Sequence, residues 1–174
     1  MARSGPSEPA RRQRLQPDWE QWVAAQAPPG APLRLPVPPS KNRTHQLVQV
    51  PTHRGTGAVG YWLRRPVYRH WLEAAKALAA FWARAQDWAV RDQPWWVRVD
   101  IWWPDQAHRD PANVLDALMD ALQGPIVTDD WWLRPAIQTV NRDRAWPRVE
   151  CRFYPEPPAW PPAKPYTEGG ITHG

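Results

Sequence analysis

The apolar positions of this chain change period several times, and each change marks an element. Leu33, Leu35 and Val37 alternate with Arg34 and Pro36, the period of a strand, and a proline within it restricts that strand to a sheet edge. It runs into a turn-forming Pro38-Pro39-Ser40-Lys41-Asn42-Arg43 and then a basic loop. Pro66 suits the first turn of a helix, and after it Val67, Trp71, Leu72, Ala75, Leu78, Ala79 and Trp82 recur at helical spacing to about residue 88. Over 95–103 the period drops to two, with Val97, Val99, Ile101 and Trp103 on one face and Arg98 and Asp100 on the other. Asp110-Pro111 reads as a cap and first turn of a second helix, whose Val114, Leu115, Leu118, Met119 and Leu122 face a core and which Gly124-Pro125 ends. Two strands follow, at 136–141 and 148–154, joined by a polar turn, with Val149, Cys151 and Phe153 pointing inward.

The ends have a different texture. Residues 1–30 start polar and basic, include a short helical pattern at 17–27 with Trp19, Trp22 and Val23 on one face, and break at Pro28-Pro29-Gly30. From residue 157 the chain is Pro-rich and then Gly-rich, with too few apolar residues to order on its own. The expected organisation is therefore an N-terminal extension at 1–30, one domain at 31–156, and a tail at 157–174. At 174 residues, one core is enough.

Composition narrows the class. The single cysteine, Cys151, excludes a disulfide framework and a cysteine-built zinc site, and favours an intracellular protein. No apolar run approaches a membrane span, and the first residues have no signal-like apolar stretch. A soluble, cytoplasmic protein is the expectation. Of 22 basic residues 19 are arginine, the side chain whose planar fork grips phosphate and stacks on bases.

Charge is segregated along the chain. Seven aspartates fall between Asp100 and Asp130, where only His108 and Arg109 are basic, whereas 21–72 holds no acidic residue. A basic half that draws in a polyanion, beside carboxylates that repel it, makes sense with a divalent cation between carboxylate and phosphate. Asn113, Asp116 and Asp120 lie on one side of the second helix at i, i+3 and i+7, and Asp110 caps it. Aspartates at i, i+4 repel by only roughly 0.2–0.5 kcal/mol, so a solvated polar face explains that pair as well as a metal does. Asp129-Asp130, one short loop further on, favours the metal if it folds back towards Asp110, although an acidic turn is an equal reading. Oxygen ligands of this kind suit Mg²⁺ or Mn²⁺ rather than zinc. Lys41, Arg43, Arg54, Arg64, Arg65 and Arg69, with His45, His53 and His70, are interleaved with Tyr61, Trp62 and Tyr68, which suits phosphate contact with base stacking. His108 and Arg109, beside Asp110, are candidates to hold the scissile phosphate or else form an exposed turn.

Three blocks resemble the RusA-type Holliday junction resolvases, metal-dependent endonucleases of phages and prophages. Leu35-Pro36-Val37-Pro38-Pro39-Ser40-Lys41-Asn42-Arg43 is similar to the family's Pro-Pro-Ser-x-Asn-Arg strand and turn. Arg109-Asp110-Pro111-Ala112-Asn113, continuing to Asp120-Ala121-Leu122, is similar to its Arg-Asp-x-Asp-Asn helix opening, and Asp129-Asp130 to its closing acidic pair. The order also agrees, over about residues 32–156.

The resemblance implies a mixed α/β (α+β) domain, with a small mixed sheet packed on two main helices. It also implies a homodimer gripping a four-way junction in DNA recombination and repair, and Mg²⁺-dependent paired nicking. On it, Asp110 and Asp130 are the expected catalytic carboxylates, with Asp129 joining them around the metal and Asn113 supporting; helix spacing, not the resemblance, adds Asp116 as a third catalytic and metal-binding carboxylate and Asp120 as support. Lys41, Asn42, Arg43, Arg65, Arg69, His108 and Arg109 are the expected DNA contacts.

Two positions depart from the pattern: Ala112 stands where the family has a second aspartate, and Asp116 where it has a lysine. Ala112 and Asp116 are one turn apart, so our hypothesis is that Asp116 restores the missing carboxylate; an Asp116→Ala protein that cleaves normally rules this out. The lost lysine keeps a second class open, a branched-DNA-binding protein with lost or weakened cleavage. A third, an interaction module in which the aspartates hold a structural ion, ranks last.

Overall fold

The structure is a computed structural model and describes residues 18–39, 45–51 and 58–158, with the backbone alone at 45–51 and 58–64. The predicted 95–103 strand is present at its predicted bounds. This strand, β4 (Trp95–Trp103), sits inside a four-stranded sheet of order β1-β6-β4-β5, with β1 Leu33–Leu35, β5 Leu133–Arg142 and β6 Arg148–Tyr154. β4 pairs parallel with β5 and antiparallel with β6, and β6 pairs antiparallel with β1. The sheet is therefore mixed and the fold α+β. β5 and β6 flank β4 on opposite sides, so the polar turn between them crosses the end of β4, where Asp143 N–H donates to the Trp103 carbonyl at 2.9 Å. β1 lies at the edge, as expected, and ends just before Pro36.

One sheet face carries Leu33, Leu35, Val97, Val99, Ile101, Val149 and Cys151, each at most 1% exposed. Burying each aliphatic side chain of that size contributes about 1.5–3 kcal/mol. Three helices supply the rest of this core: α1 (Trp19–Gln26), α2 (Pro66–Ala85) and α3 (Asn113–Leu122). On β4 the alternate positions hold Trp96, Arg98, Asp100 and Trp102. Asp100, on the opposite face with Arg98 as expected, is only 6% exposed. It accepts from Arg98 at 2.8 and 3.3 Å and from Thr139 Oγ1 at 2.7 Å, which offsets the cost of burying a charge.

The short N-terminal helix, read as part of an appended segment, packs into this core. Asp18 caps it, accepting from Gln21 N–H at 3.3 Å. Of its expected shared face only Trp22 is buried; Val23 is half-buried and Trp19 is 42% exposed. The inward position sequence reading missed is Gln26, fully buried. Its amide donates to the Arg34 carbonyl at 2.6 Å and accepts the Arg34 N–H at 3.0 Å, stitching α1 to β1.

Helix α2 opens with Pro66 at its first turn, as expected. It stops at Ala85 because Asp87 turns to φ 50° and the Trp88 N–H folds back on the Ala83 carbonyl at 2.8 Å, a left-handed cap. Val67, expected on the apolar stripe, is 51% exposed, and Tyr68 takes the inward position at 3%. The phase Tyr68, Trp71, Ala75, Leu78, Ala79, Trp82 satisfies helical spacing equally well.

Inside the expected basic loop the backbone forms a hairpin. β2 (His45–Pro51) pairs antiparallel with β3 (Ala58–Arg64), from His45↔Arg64 to Pro51↔Ala58, as a sheet of its own. The polar His45, Gln46 and Gln49 and the glycine at 60 blur any period-two signal there, and composition drew the reading towards a loop.

Candidate active site

The C-terminal end of β4 opens a cleft of about 390 Å³ lined by Val37, Pro38, Pro39, Trp103, Pro104, His108, Arg109, Asp110, Asn113 and Val114. Register explains the meeting. Leu35 pairs with Val149 and Val149 with Ile101, so β1 runs in the direction of β4 and the chain beyond each strand emerges at the same edge. Crevices outside the carboxyl ends of strands are where ligands bind in many α/β sheets. Two of the three sequence blocks thus share one wall.

Asp110 is exposed. Its Oδ1 accepts the Ala112 N–H at 2.9 Å and its carbonyl accepts the Asn113 N–H at 3.2 Å. The carboxylate is thereby fixed at the mouth of the helix. The α-helical ladder begins at Asn113, one turn after the predicted cap, because this tighter turn comes first. Ala112 has helical backbone angles, φ −61° and ψ −28°, and is exposed, as is Asp116 one turn on. The relation between these two departing positions is therefore a shared, solvent-facing side.

Arg109 is engaged already. Its guanidinium donates to Asp105 at 2.5 and 2.9 Å and lies 5.2 Å from the centre of the Trp103 ring. The hydrogen bonds from Arg109, with help from the Ala107 N–H, hold the Asp105 carboxyl down at about 2; the same pair raises the Arg109 pKa. Sequence reading missed Trp103 as part of this wall and Asp105 as the partner of Arg109. The i, i+4 spacing of Asp105 and Arg109 was the available signal.

The start of α2 reaches the same region. Trp71 Nε1 donates to the Pro36 carbonyl at 3.0 Å, and the Tyr68 hydroxyl donates to Asp120 Oδ2 at 2.5 Å. Arg65 and Arg69, both exposed, sit on these first turns. Tyr68, read as a base-stacking residue, is buried and serves the junction of α2 with α3. Lys41, Asn42 and Arg43 lie outside the described residues, as do His53 and Arg54.

Asp129 and Asp130 stand on a different segment. Asp129 caps the 3₁₀ turn Asp130–Trp132, which lies alongside α3, and the next residue, Leu133, pairs with Trp95 at the start of β4. Asp110, in contrast, follows the end of β4. Among the described residues, no three His, Cys, Asp or Glu side chains form a group able to hold a metal ion unaided. The structure thus brings Asp110 together with Asn113, His108 and Arg109, and does not gather Asp110, Asp116, Asp129 and Asp130 into one such group.

Among the described residues no helix is long and apolar enough to cross a membrane. In comparisons with known proteins, the chain matches no family model and no curated protein.

Proposed function

We propose that this protein is a Mg²⁺-dependent, structure-selective endonuclease acting on branched DNA, the activity implied by its resemblance to RusA-type resolvases. The observation that carries the reading is the cleft in which the Pro38-Pro39 turn meets Arg109, Asp110 and Asn113. An oriented, exposed carboxylate and a nearby amide oxygen are hard donors of the class Mg²⁺ and Mn²⁺ prefer, and Mg²⁺ commonly takes only one or two protein carboxylates, completing its shell with water and substrate phosphate. Asp110, with Asn113, would hold the cation, and Asp116 or Asp130 would join if DNA binding draws its segment in. When bound, the cation supplies charge neutralisation at the scissile phosphate and acidifies the attacking water.

The chain's own residues then have separable tasks. Ala112 N–H orients the Asp110 carboxylate. His108 lines the cleft wall, where a proton on its imidazole would attract phosphate. Arg65 and Arg69 extend the positive surface along α2, steering a polyanion towards the cleft. Dimerisation, a four-way junction as substrate and a role in recombination and repair belong to the same proposal through the resemblance.

A second reading has its own support. Ala112 removes one expected carboxylate, and the Arg109 fork is occupied by Asp105, which favours a branched-DNA binder with weakened cleavage. Cleavage of a labelled mobile four-way junction, beside a linear duplex of the same sequence, separates the two in Mg²⁺, Mn²⁺ or EDTA with Asp110→Asn as control. Paired nicks at the junction that need metal and Asp110 support the nuclease. Tight junction binding with no nicks under any metal establishes the binder, and no preference for the junction sinks both.

A further inference from the structure

Trp131 is the most exposed large apolar side chain among the described residues, at 71%, although most of the described tryptophans are packed into or against the core. Its neighbours hold it outward. Leu133, 3% exposed, begins β5, and Trp132 packs against the core. The Asp130–Trp132 turn is locked from both sides: Asp129 Oδ1 accepts the Trp131 N–H at 2.8 Å, and Arg134 donates to the carbonyls of Trp131 at 2.5 Å and Leu133 at 3.0 Å. Those two bonds also place the Arg134 guanidinium 5.6 Å from the centre of the Trp131 ring. An indole is thus presented on a rigid turn with a cation beside it.

We infer that Trp131 and Arg134 form a stacking site for an unpaired nucleobase, Trp131 taking the base and Arg134 the adjoining phosphate. The inference rests on the nucleic-acid reading above and deepens it. The chemistry favours this occupant over a protein. Thr128, Asp129, Asp130 and Arg134 flank Trp131 in the chain, and no other large apolar side chain of this described segment is exposed, so the apolar area is one side chain wide, far below what a stable protein interface buries. A flat ring with an arginine next to it matches a base and its phosphate, the pairing on which sequence-tolerant single-strand binding depends. Unpaired bases occur at branch points, so the site would favour distorted over continuous duplex DNA.

The test uses the full chain in EDTA, with a branched DNA carrying 2-aminopurine at an unpaired position and a fully paired duplex as reference. Wild type and Trp131→Phe are expected to quench the 2-aminopurine emission on binding. Trp131→Ala should lose the quenching and bind the branched DNA about 10-fold or more weakly, with duplex affinity unchanged. Arg134→Gln should weaken branched-DNA binding and steepen it less with salt. Wild-type quenching and affinity in Trp131→Ala overturn the inference while leaving the nucleic-acid reading intact. Failure of wild type to bind either DNA in EDTA, and to bind or cut either in Mg²⁺, overturns both. A Trp131→Ala protein that falls from dimer to monomer in light scattering also overturns it, by assigning the ring to a subunit interface.

Discussion

The Tyr68 hydroxyl donates a 2.5 Å hydrogen bond to Asp120 Oδ2, joining the first turns of the helix that carries Arg65 and Arg69 to the helix that carries Asp116. Tyr68 is 3% exposed and its ring stacks on Trp71 at 5.8 Å between centres. Trp71 in turn holds the Pro36 carbonyl. This chain of contacts fixes the basic helix against the strand that leads into the cleft, so the relative placement of basic and acidic residues is a packing property of the core.

Tyr68→Phe keeps the ring and removes the donor to Asp120. A hydrogen bond to a charged group contributes about 1.5–3 kcal/mol, and a loss in that range is expected in urea unfolding. Tyr68→Ala should cost more, since it also removes the stacked ring. Equal stability of Tyr68→Phe and wild type would show that the bond contributes nothing.

Gln26 predicts where the domain begins. Its side chain satisfies both the carbonyl and the N–H of Arg34 from a fully buried position, and its own carbonyl accepts from Gln86 at 3.0 Å. Removing a partner from a buried polar group costs about 1–3 kcal/mol per group. Gln26→Ala should therefore destabilise by at least that amount. A chain starting at residue 31 should be less stable still, because it also loses Trp22 from the core, whereas a chain starting at residue 18 keeps these contacts. Equal melting temperatures for chains starting at 18 and 31 would contradict this.

The sequence made some of this legible and hid the rest for identifiable reasons. Val97, Val99 and Ile101 were readable because a strand buried on one face must alternate, and Leu118 and Leu122 because one helical face must be apolar. Val67 and Tyr68 were exchanged because two phases of the same helix fit, and tertiary contacts such as the bond to Asp120 and the stacking on Trp71 select between them. Gln26 was invisible because a polar residue reads as exposed until its partners are known. In the cleft, the meeting of Pro38-Pro39 with Asp110 depends on β6 lying between β1 and β4, a pairing of segments far apart in sequence. Charge segregation marked the region of Asp110 but not the ion pair that occupies Arg109.

Cys151 should be chemically silent in the folded protein. It is fully buried, and burial, reinforced by the carboxylates of Asp100 and Glu150, pushes its thiol far above the ordinary range. Thiolate is the reactive form, so a thiol reagent such as Ellman's should label the chain only as it unfolds, at a rate that rises with urea. Rapid labelling in buffer would mean that β6 opens locally from the sheet.

The pair of Asp105 and Arg109 carries a pH dependence whose direction follows from its chemistry. The folded-state pKa of Asp105 lies at about 2, below its ordinary 3.8, chiefly because Arg109 donates to the carboxylate. A carboxylate depressed on folding adds stability that is fully present above its unfolded value and is lost as the pH falls through the folded one. The window thus runs from about pH 4 down to about pH 2. Carbon-detected NMR of the Asp105 carboxyl should titrate near the lower end in wild type, and Arg109→Gln should return the midpoint towards 3.8. Asp105→Asn frees the guanidinium above Trp103, and on the proposed function should strengthen DNA binding and its salt dependence by about one further phosphate contact. A midpoint unmoved by Arg109→Gln would dissolve the ion pair, and with it the reason to expect any gain in binding from Asp105→Asn.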